Sequence, residues 1–227
     1  MKMLPPAIAF AMALTAGANA QALTEVDRQA IINGVVQHFR EHPQELVEAI
    51  LDWREKETAK LAKPAPVPVT GNPSGDVVVY EFQDYGCQAC REAGSVLDRL
   101  AAEDGAISIV HYDHPVSGQE AVSAALDLVA ANAAGGDYAA ARKVLLENGD
   151  GPETRTKALQ AAGVGPTVLD RAAAAETLRN NRDLAAKTGI GQLPAVVVVS
   201  GTRMIPLSGK INYEDLQAAV SSVRSDP

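Results

Sequence analysis

Apolar residues recur at helical spacing in the N-terminal part of the chain. Within residues 23–62 two such runs are separated by a break, and Pro43 suits the first turn of the second helix. The runs consist of Ile32, Val35, Val36 and Phe39, and of Leu46, Val47, Ile50, Leu51 and Trp53. Because two amphipathic helices of this size cannot bury their apolar stripes alone, we expect them to pack on the rest of the chain or on a second copy of it.

A strand, a turn and a helix are predicted next. Residues 77–82 form a β-rich apolar run, residues 84–86 have the composition of a turn, and apolar positions then continue at helical spacing to Leu100. Residues 107–112 form a second apolar run of strand length. The order strand, helix, strand predicts that the two strands pair in parallel.

Helices dominate the remainder of the chain. Residues 117–187 are alanine-rich and predict about four helices, with glycines at their ends. Residues 195–199 and 203–207 predict a β-hairpin, and residues 213–223 a closing amphipathic helix. The pattern therefore predicts an α/β fold with an all-helical segment inserted between its β units.

The first twenty residues have the pattern of a secretory signal peptide. Lys2 precedes an apolar stretch at residues 8–14, and Ala18-Asn19-Ala20 matches a cleavage site, so we expect cleavage after Ala20. No later apolar run is long enough to span a bilayer. We therefore expect an exported protein without stable membrane insertion.

A proline-rich stretch predicts a domain boundary. Residues 63–75 contain four prolines, which favour an extended, semi-rigid spacer. This spacer would separate an N-terminal helical segment, residues 21–62, from a main domain, residues 76–227.

Composition and charge exclude several classes of protein. The 227 residues are 47% hydrophobic and 21% charged, which is typical of a globular protein and not of a disordered one. The formal net charge is −8, so nothing in the sequence attracts a nucleic-acid partner. Only two cysteines are present, and both belong to one C-x-x-C motif.

This motif, Cys87-Gln88-Ala89-Cys90, stands where the predicted strand and turn lead into a helix. The free N–H groups and the dipole of a helix start stabilise a thiolate, so Cys87 is expected to be the attacking sulfur. Cys90 would then resolve the mixed disulfide by attacking Cys87. No cofactor beyond the redox-active disulfide is expected.

Three other interpretations of the pair compete with this one. A zinc site lacks a second pair of cysteines or suitably spaced histidines. An inert disulfide that closes so short a loop would add little stability. Capture of Cu(I) by the two thiolates is chemically reasonable and does not exclude redox activity.

Three stretches of the chain together resemble a known family. Residues 80–91 and 189–195, with the helical insertion between them, resemble the DsbA-like branch of the thioredoxin superfamily. Residues 38–49 resemble the leader of the ScsC, or suppressor-of-copper-sensitivity, group of disulfide isomerases. The resemblance implies a thioredoxin fold with an inserted helical subdomain, preceded by a segment, residues 21–62, that forms homo-oligomers.

The resemblance also assigns roles to residues outside the C-x-x-C motif. Pro194 matches the cis-proline that faces the cysteines and contacts an extended client segment. Glu81 matches a buried acid that exchanges a proton with the resolving cysteine, and burial on a strand suggests a raised pKa.

Three further positions are expected to contact the client and tune reactivity. Leu193 precedes the proline where threonine or valine is common in the family, and Gln88 and Ala89 lie between the cysteines without the histidine of strong oxidases. We therefore expect a less oxidising pair than in those oxidases.

The function that follows is a periplasmic thiol-disulfide oxidoreductase, most consistent with a disulfide isomerase. Its partners would be cysteine-containing exported proteins and a membrane-bound thiol reductase or oxidase that recycles the pair. The alternatives are a DsbA-like dithiol oxidase and, from a different class, a copper-sequestering module that uses Cys87 and Cys90 as ligands.

Overall fold

A computed structural model describes residues 24–61 and 67–224. The chain divides into two compact units, residues 1–49 and 50–227. The predicted signal peptide lies outside the described residues, as does part of the predicted spacer. No helix in the described ranges is both long and apolar enough to cross a membrane.

The two predicted N-terminal helices are confirmed. Helix α1 (Glu25–Glu41) begins at a capping box in which Thr24 and Asp27 each satisfy the other's backbone N–H. Helix α2 (Pro43–Lys60) begins at Pro43, whose fixed φ and missing N–H suit a first helical position. No residue of α1 is buried.

The second unit contains a five-stranded sheet. Its strands are β1 (Val69–Gly71), β2 (Val77–Gln83), β3 (Ile107–Asp113), β4 (Ala195–Ser200) and β5 (Arg203–Ser208), in the spatial order β1-β3-β2-β4-β5. Strands β2 and β3 are parallel, as predicted, and the other neighbouring pairs are antiparallel. The predicted β4–β5 hairpin is confirmed, with Ser200 opposite Arg203.

Six further α-helices belong to this unit: α3 (Gln88–Glu103), α4 (Gln119–Ala133), α5 (Tyr138–Asn148), α6 (Pro152–Ala161), α7 (Arg171–Lys187) and α8 (Tyr213–Arg224). Helices α4 to α7 form the predicted insertion between β3 and β4. On one sheet face, Val79 and Val198 pack with Leu97 of α3 and Leu216 of α8. On the other face, Phe82 packs with Ala185 of α7.

Part of the predicted spacer belongs to the sheet. Residues 69–71 form β1, which pairs with β3, and the carbonyl of Pro68 accepts a hydrogen bond from the backbone of His111. Prolines in an extended segment are compatible with an edge strand because the N–H that they lack need not enter the ladder. The prediction of an extended conformation is met here, but the sequence analysis missed the strand pairing.

Candidate active site

The two cysteines lie where β2 delivers the chain to α3. Strand β2 ends at Gln83, and Cys87 is the N-cap of α3. The connecting loop is held by Asp84, whose carboxylate accepts hydrogen bonds from the N–H of Gly86 at 2.9 Å and of Ser117 at 2.7 Å. The position of Cys87 is therefore fixed by the sheet on one side and by the start of the helical insertion on the other.

Cys87 and Cys90 form a disulfide, and no free cysteine is found. Cys87 is partly exposed, whereas Cys90 is fully buried. The backbone N–H of Cys90 donates to Cys87 Sγ at 3.2 Å. This N–H group and the dipole at the helix start stabilise a thiolate on Cys87. The more accessible sulfur is therefore also the one whose environment favours nucleophilic attack.

The Leu193–Pro194 peptide bond is cis, as the resemblance implies. Pro194 is buried and immediately precedes β4, whose first residue, Ala195, is opposite Phe82 near the end of β2. Pro194 therefore lies at the same end of the sheet as the loop that carries Cys87. Leu193 is half-buried.

The dipeptide between the cysteines is open to solvent. Gln88 and Ala89 are both exposed, and the Gln88 amide donates to Glu92 at 2.9 Å along α3. Both residues can contact a bound client, which is the role that the resemblance implies for them.

An apolar cavity of about 430 Å³ lies beside the segment that precedes Pro194. Its lining includes Ile190, Gln192, Met204 and Leu207, and none of the described residues that line it is charged. The cavity offers an apolar surface next to the loop that contains the cis-proline.

Glu81 is buried, as predicted, and is held by two basic side chains. Arg142 Nη2 donates to both of its oxygens, at 2.9 and 2.8 Å, and His111 Nδ1 lies 2.6 Å from Oε2. Arg142 also donates to Asp98 at 2.5 Å, and His111 Nε2 lies 2.8 Å from the hydroxyl of Thr70. Glu81 is therefore the centre of a buried network that joins β2, β3 and α5.

The prediction of a raised pKa for Glu81 is wrong. Burial alone would raise it, but the charge of Arg142 and the hydrogen bond from His111 outweigh burial and lower the pKa to about 2. Burial and the charge of Arg142 also lower the pKa of His111, so this side chain is neutral at pH 7. An ionised Glu81 only accepts hydrogen bonds, so His111 carries its proton on Nδ1 and accepts from Thr70 through Nε2.

The Glu81–Arg142 pair lies against α3 at Gly94, one turn beyond Cys90. A methyl group at Gly94 would lie 2.8 Å from Arg142 Nη2 and 3.2 Å from Glu81 Oε1. Because residues four apart in a helix share a face, the ion pair lies beneath the face that carries Cys90. The bare backbone of Gly94 provides the space that the pair occupies.

Gln83 links this network to the active-site helix. With its amide nitrogen turned toward the two nearest acceptors, Gln83 donates to the carbonyl of Cys90 at 3.1 Å and to Glu81 Oε1 at 3.2 Å. Gln83 is the register partner of Asp113 on β3, which is also buried. Glu81, Gln83, His111 and Asp113 thus form a polar layer, which we call the buried polar layer.

Sequence reasoning missed the partners of Glu81. Arg142 is 61 residues away on a helix of the insertion, and no local pattern connects the two positions. His111 gave a weak signal, because a histidine within an apolar strand run indicates burial. Among the described residues, no group of three or more His, Cys, Asp or Glu side chains is placed to hold a metal ion.

Comparison with known proteins gives a consistent family assignment. The model of a family described as thioredoxin matches residues 65–222, which is more than half of the chain. A comparison with curated proteins finds no match.

Several solved structures are similar to this chain. A linker-deletion variant of ScsC from Proteus mirabilis is 20% identical, with 90% of this chain and 98% of that chain covered and a TM-score of 0.65. A periplasmic thioredoxin-like protein from Salmonella enterica serovar Typhimurium is 23% identical, with 73% and 94% covered and a TM-score of 0.63. A thioredoxin-like oxidoreductase from Silicibacter pomeroyi is 28% identical, with 71% and 94% covered and a TM-score of 0.63.

Proposed function

The chain belongs to the thioredoxin family and is a thiol-disulfide oxidoreductase of the DsbA and ScsC type, and from this premise we propose that it is a periplasmic disulfide isomerase. Its substrates would be exported proteins that contain wrongly paired cysteines. The observation that carries the chemistry is the asymmetry of the pair: a partly exposed Cys87 at a helix start and a buried Cys90 one turn along.

The reaction follows from this asymmetry. In the reduced protein the Cys87 thiolate attacks a client disulfide, forms a bond to one client sulfur and releases the other as a thiolate. A client thiolate can then attack the mixed disulfide and form the correct pair, which restores Cys87. If no client thiol attacks in time, Cys90 attacks Cys87 Sγ and releases the client.

The client would bind across the exposed surface around Cys87. Gln88, Ala89 and Leu193 supply contacts near the sulfur, and the apolar cavity beside residues 190–192 suits an apolar client side chain. Unfolded or misfolded proteins expose apolar segments, so an apolar lining fits a broad range of such clients.

Support for isomerase rather than oxidase activity comes from the N-terminal helices. Their apolar side chains are exposed in the single chain, among them Ile32 at 54%, Val35 at 51% and Val36 at 45%. An unburied apolar stripe of this kind favours association with further copies through residues 21–62. Assembly would place several Cys87 sites around one client and restrict access by an oxidising partner.

Export is supported by the N-terminal sequence pattern and by one relative. Residues 1–20 match a secretory signal peptide, and the similar protein from Salmonella enterica is described as periplasmic. A membrane-bound thiol reductase would keep the Cys pair reduced, which an isomerase requires.

The test is reactivation of a ribonuclease with scrambled disulfides by the reduced protein without its signal peptide. We expect ribonuclease activity to return, and Cys87→Ser to abolish the effect because no attacking thiolate remains. Cys90→Ala should accumulate mixed disulfides with exported proteins, detected on non-reducing gels, because the resolving sulfur is absent.

Two outcomes of this test would contradict the isomerase proposal. Oxidation of a reduced client without reactivation of the scrambled one would assign the protein as a dithiol oxidase. If Cys90→Ala trapped no client while the wild-type thiols bound Cu(I) tightly, the copper-sequestering alternative would replace the redox proposal.

A further inference from the structure

A second cavity, of about 240 Å³, lies between α4, α7 and the segment that follows β3. Its floor is apolar, because Leu126 and Leu178 line it and both pack with the buried Ala174. Its rim is basic, because Arg179 and Arg182 also line it and are exposed on α7. We call this site the insertion cavity.

Few described groups compete for the two arginines. Arg179 forms neither a hydrogen bond nor an ion pair with any residue that the structure describes. Arg182 Nε lies 3.9 Å from Asp183, its neighbour in α7, which is beyond hydrogen-bond distance. No described residue of the lining is acidic, although the whole chain has a formal net charge of −8. The insertion cavity is therefore a basic site on an acidic protein, and its guanidinium groups suit a carboxylate.

The insertion cavity begins close to the attacking sulfur. Val116 lines it, is 64% exposed, and donates its backbone N–H to Asp84 at 2.7 Å. The next residue, Ser117, contacts the residue before Cys87: a methyl group at Gly86 would lie 2.8 Å from Ser117 Cβ. Because consecutive Cα atoms are 3.8 Å apart, the Cα atoms of Val116 and Cys87 lie within about 14 Å of each other. An extended chain covers that distance in about four residues.

Cys87 lies between the insertion cavity and the apolar cavity beside residues 190–192. Strand β2, which leads to Cys87, has β3 on one side and β4 on the other. The insertion cavity adjoins the segment after β3, whereas the apolar cavity adjoins the segment before β4, and the two share no described lining residue. A client chain that passes Cys87 can therefore reach a different cavity on each side of its cysteine.

We propose that the insertion cavity binds an acidic, partly apolar segment of the client, an inference that rests on the proposed function. This segment lies about four to seven residues from the client cysteine, the length of extended chain that reaches the cavity from Cys87. Its carboxylates pair with Arg179 and Arg182, and an apolar side chain contacts Leu126 and Leu178. The helical insertion thereby selects clients by charge.

The charge of the whole molecule makes this preference distinctive. With a formal net charge of −8, the chain as a whole repels an acidic client and attracts a basic one. Only a local basic site can reverse that order for a segment bound next to Cys87. The proposal and the net charge of the protein therefore predict opposite preferences, which a comparison of acidic and basic clients separates.

The experiment uses three synthetic peptides, each with one cysteine that carries a thionitrobenzoate group. They differ only in a Leu-Glu-Glu, Leu-Gln-Gln or Leu-Lys-Lys sequence placed about four to seven residues from that cysteine. In the reduced protein without its signal peptide, the Cys87 thiolate attacks the peptide sulfur and releases the thionitrobenzoate anion, which absorbs visible light. We expect the glutamate peptide to react about 3- to 10-fold faster than the lysine peptide at low salt, and added salt to reduce this ratio.

A charge-matched control separates the insertion cavity from the net charge of the protein. Arg179→Gln combined with Arg182→Gln should abolish the preference for the glutamate peptide or reverse it. Lys143→Gln combined with Lys157→Gln removes the same two charges from exposed positions of the insertion that do not line the cavity. This control should keep the wild-type preference, because the cavity is unchanged.

The wild-type rates alone can overturn the proposal, whatever the variants do. Equal rates for the three peptides, or a faster lysine peptide, would show that no basic site acts next to Cys87. An equal loss of preference in both double variants would also overturn it, because net charge would then explain the result. If the wild-type protein released thionitrobenzoate from none of the peptides, the proposed function would be contradicted instead.

Discussion

At the scale of single residues, Glu81 and Arg142 form a buried ion pair. Removal of one partner of a buried pair leaves the other charge without compensation, which typically lowers the free energy of unfolding by 3–5 kcal/mol. We expect Glu81→Gln to lower it by about this amount at pH 7, because Arg142 would then keep its charge with only the half-exposed Asp98 as a counter-ion. Urea unfolding followed by circular dichroism measures the change.

The same pair predicts the direction of the pH dependence. The folded-state pKa of Glu81, about 2, is below its ordinary value of 4.5, so its contribution to stability is complete above pH 4.5 and is lost as the pH falls toward 2. The difference in the free energy of unfolding between wild type and Glu81→Gln should therefore shrink by about 3 kcal/mol over that interval.

The control is Glu103→Gln, at an exposed pair with Arg99. It should change the free energy of unfolding by less than about 0.5 kcal/mol. Equal losses in both variants would contradict this account.

Sequence reasoning found the position of Glu81 but not its chemistry. Strand alternation indicates an acid among core residues, and the resemblance implies that this acid lies beneath the cysteines. The pKa, however, depends on which charges lie next to the carboxylate, and Arg142 reaches it from a different subdomain.

At the scale of elements, α3 packs closely on the ion pair only because residue 94 is glycine. Alanine favours a helix interior over glycine by about 1 kcal/mol. The methyl group of an alanine at position 94 would lie 2.7 Å from Leu146 Cδ2 and 2.8 Å from Arg142 Nη2. Arg142 cannot move freely because both of its terminal nitrogens are held by carboxylates.

We therefore expect Gly94→Ala to destabilise the protein by about 1–3 kcal/mol, the usual range for overpacking, despite the better helix propensity. The measurement is the midpoint of urea unfolding. Gly34→Ala makes the same change inside α1, where nothing lies within 4 Å of the added methyl group. That control should leave the midpoint unchanged or raise it, and a stabilised Gly94→Ala would show that the ion pair does not constrain α3.

The regular elements could be predicted because their patterns are local. Strands β2 and β3 are continuous apolar runs, and the helices of the insertion end at glycines, so both are visible within a short window of sequence. Strand β1 was missed because it is three residues long and follows prolines that favour an extended spacer. Its pairing with β3 depends on the fold around it, which a short window does not contain.

At the scale of the whole molecule, the redox site and the proposed assembly surface lie in different parts of the chain. The cysteines, the buried polar layer and the cis-proline all belong to the unit of residues 50–227. The exposed apolar residues of α1 belong to the unit of residues 1–49. A substitution on α1 can therefore change assembly without touching the chemistry of the Cys pair, which makes the two functions separable by experiment.

Ile32→Asp combined with Val36→Asp is the substitution that tests this separation. Ile32 and Val36 are one helical turn apart on the exposed apolar stripe of α1, and two buried carboxylates would oppose association through that stripe. We expect light scattering to show an oligomer for the wild type without its signal peptide and a monomer for the double variant. Reactivation of scrambled ribonuclease should fall while simple dithiol exchange at Cys87 is retained.

The control is Asn33→Asp, at a polar position of the same helix, which should leave the oligomer intact. A wild-type monomer, or a monomeric variant with full isomerase activity, would contradict the link between assembly and isomerisation.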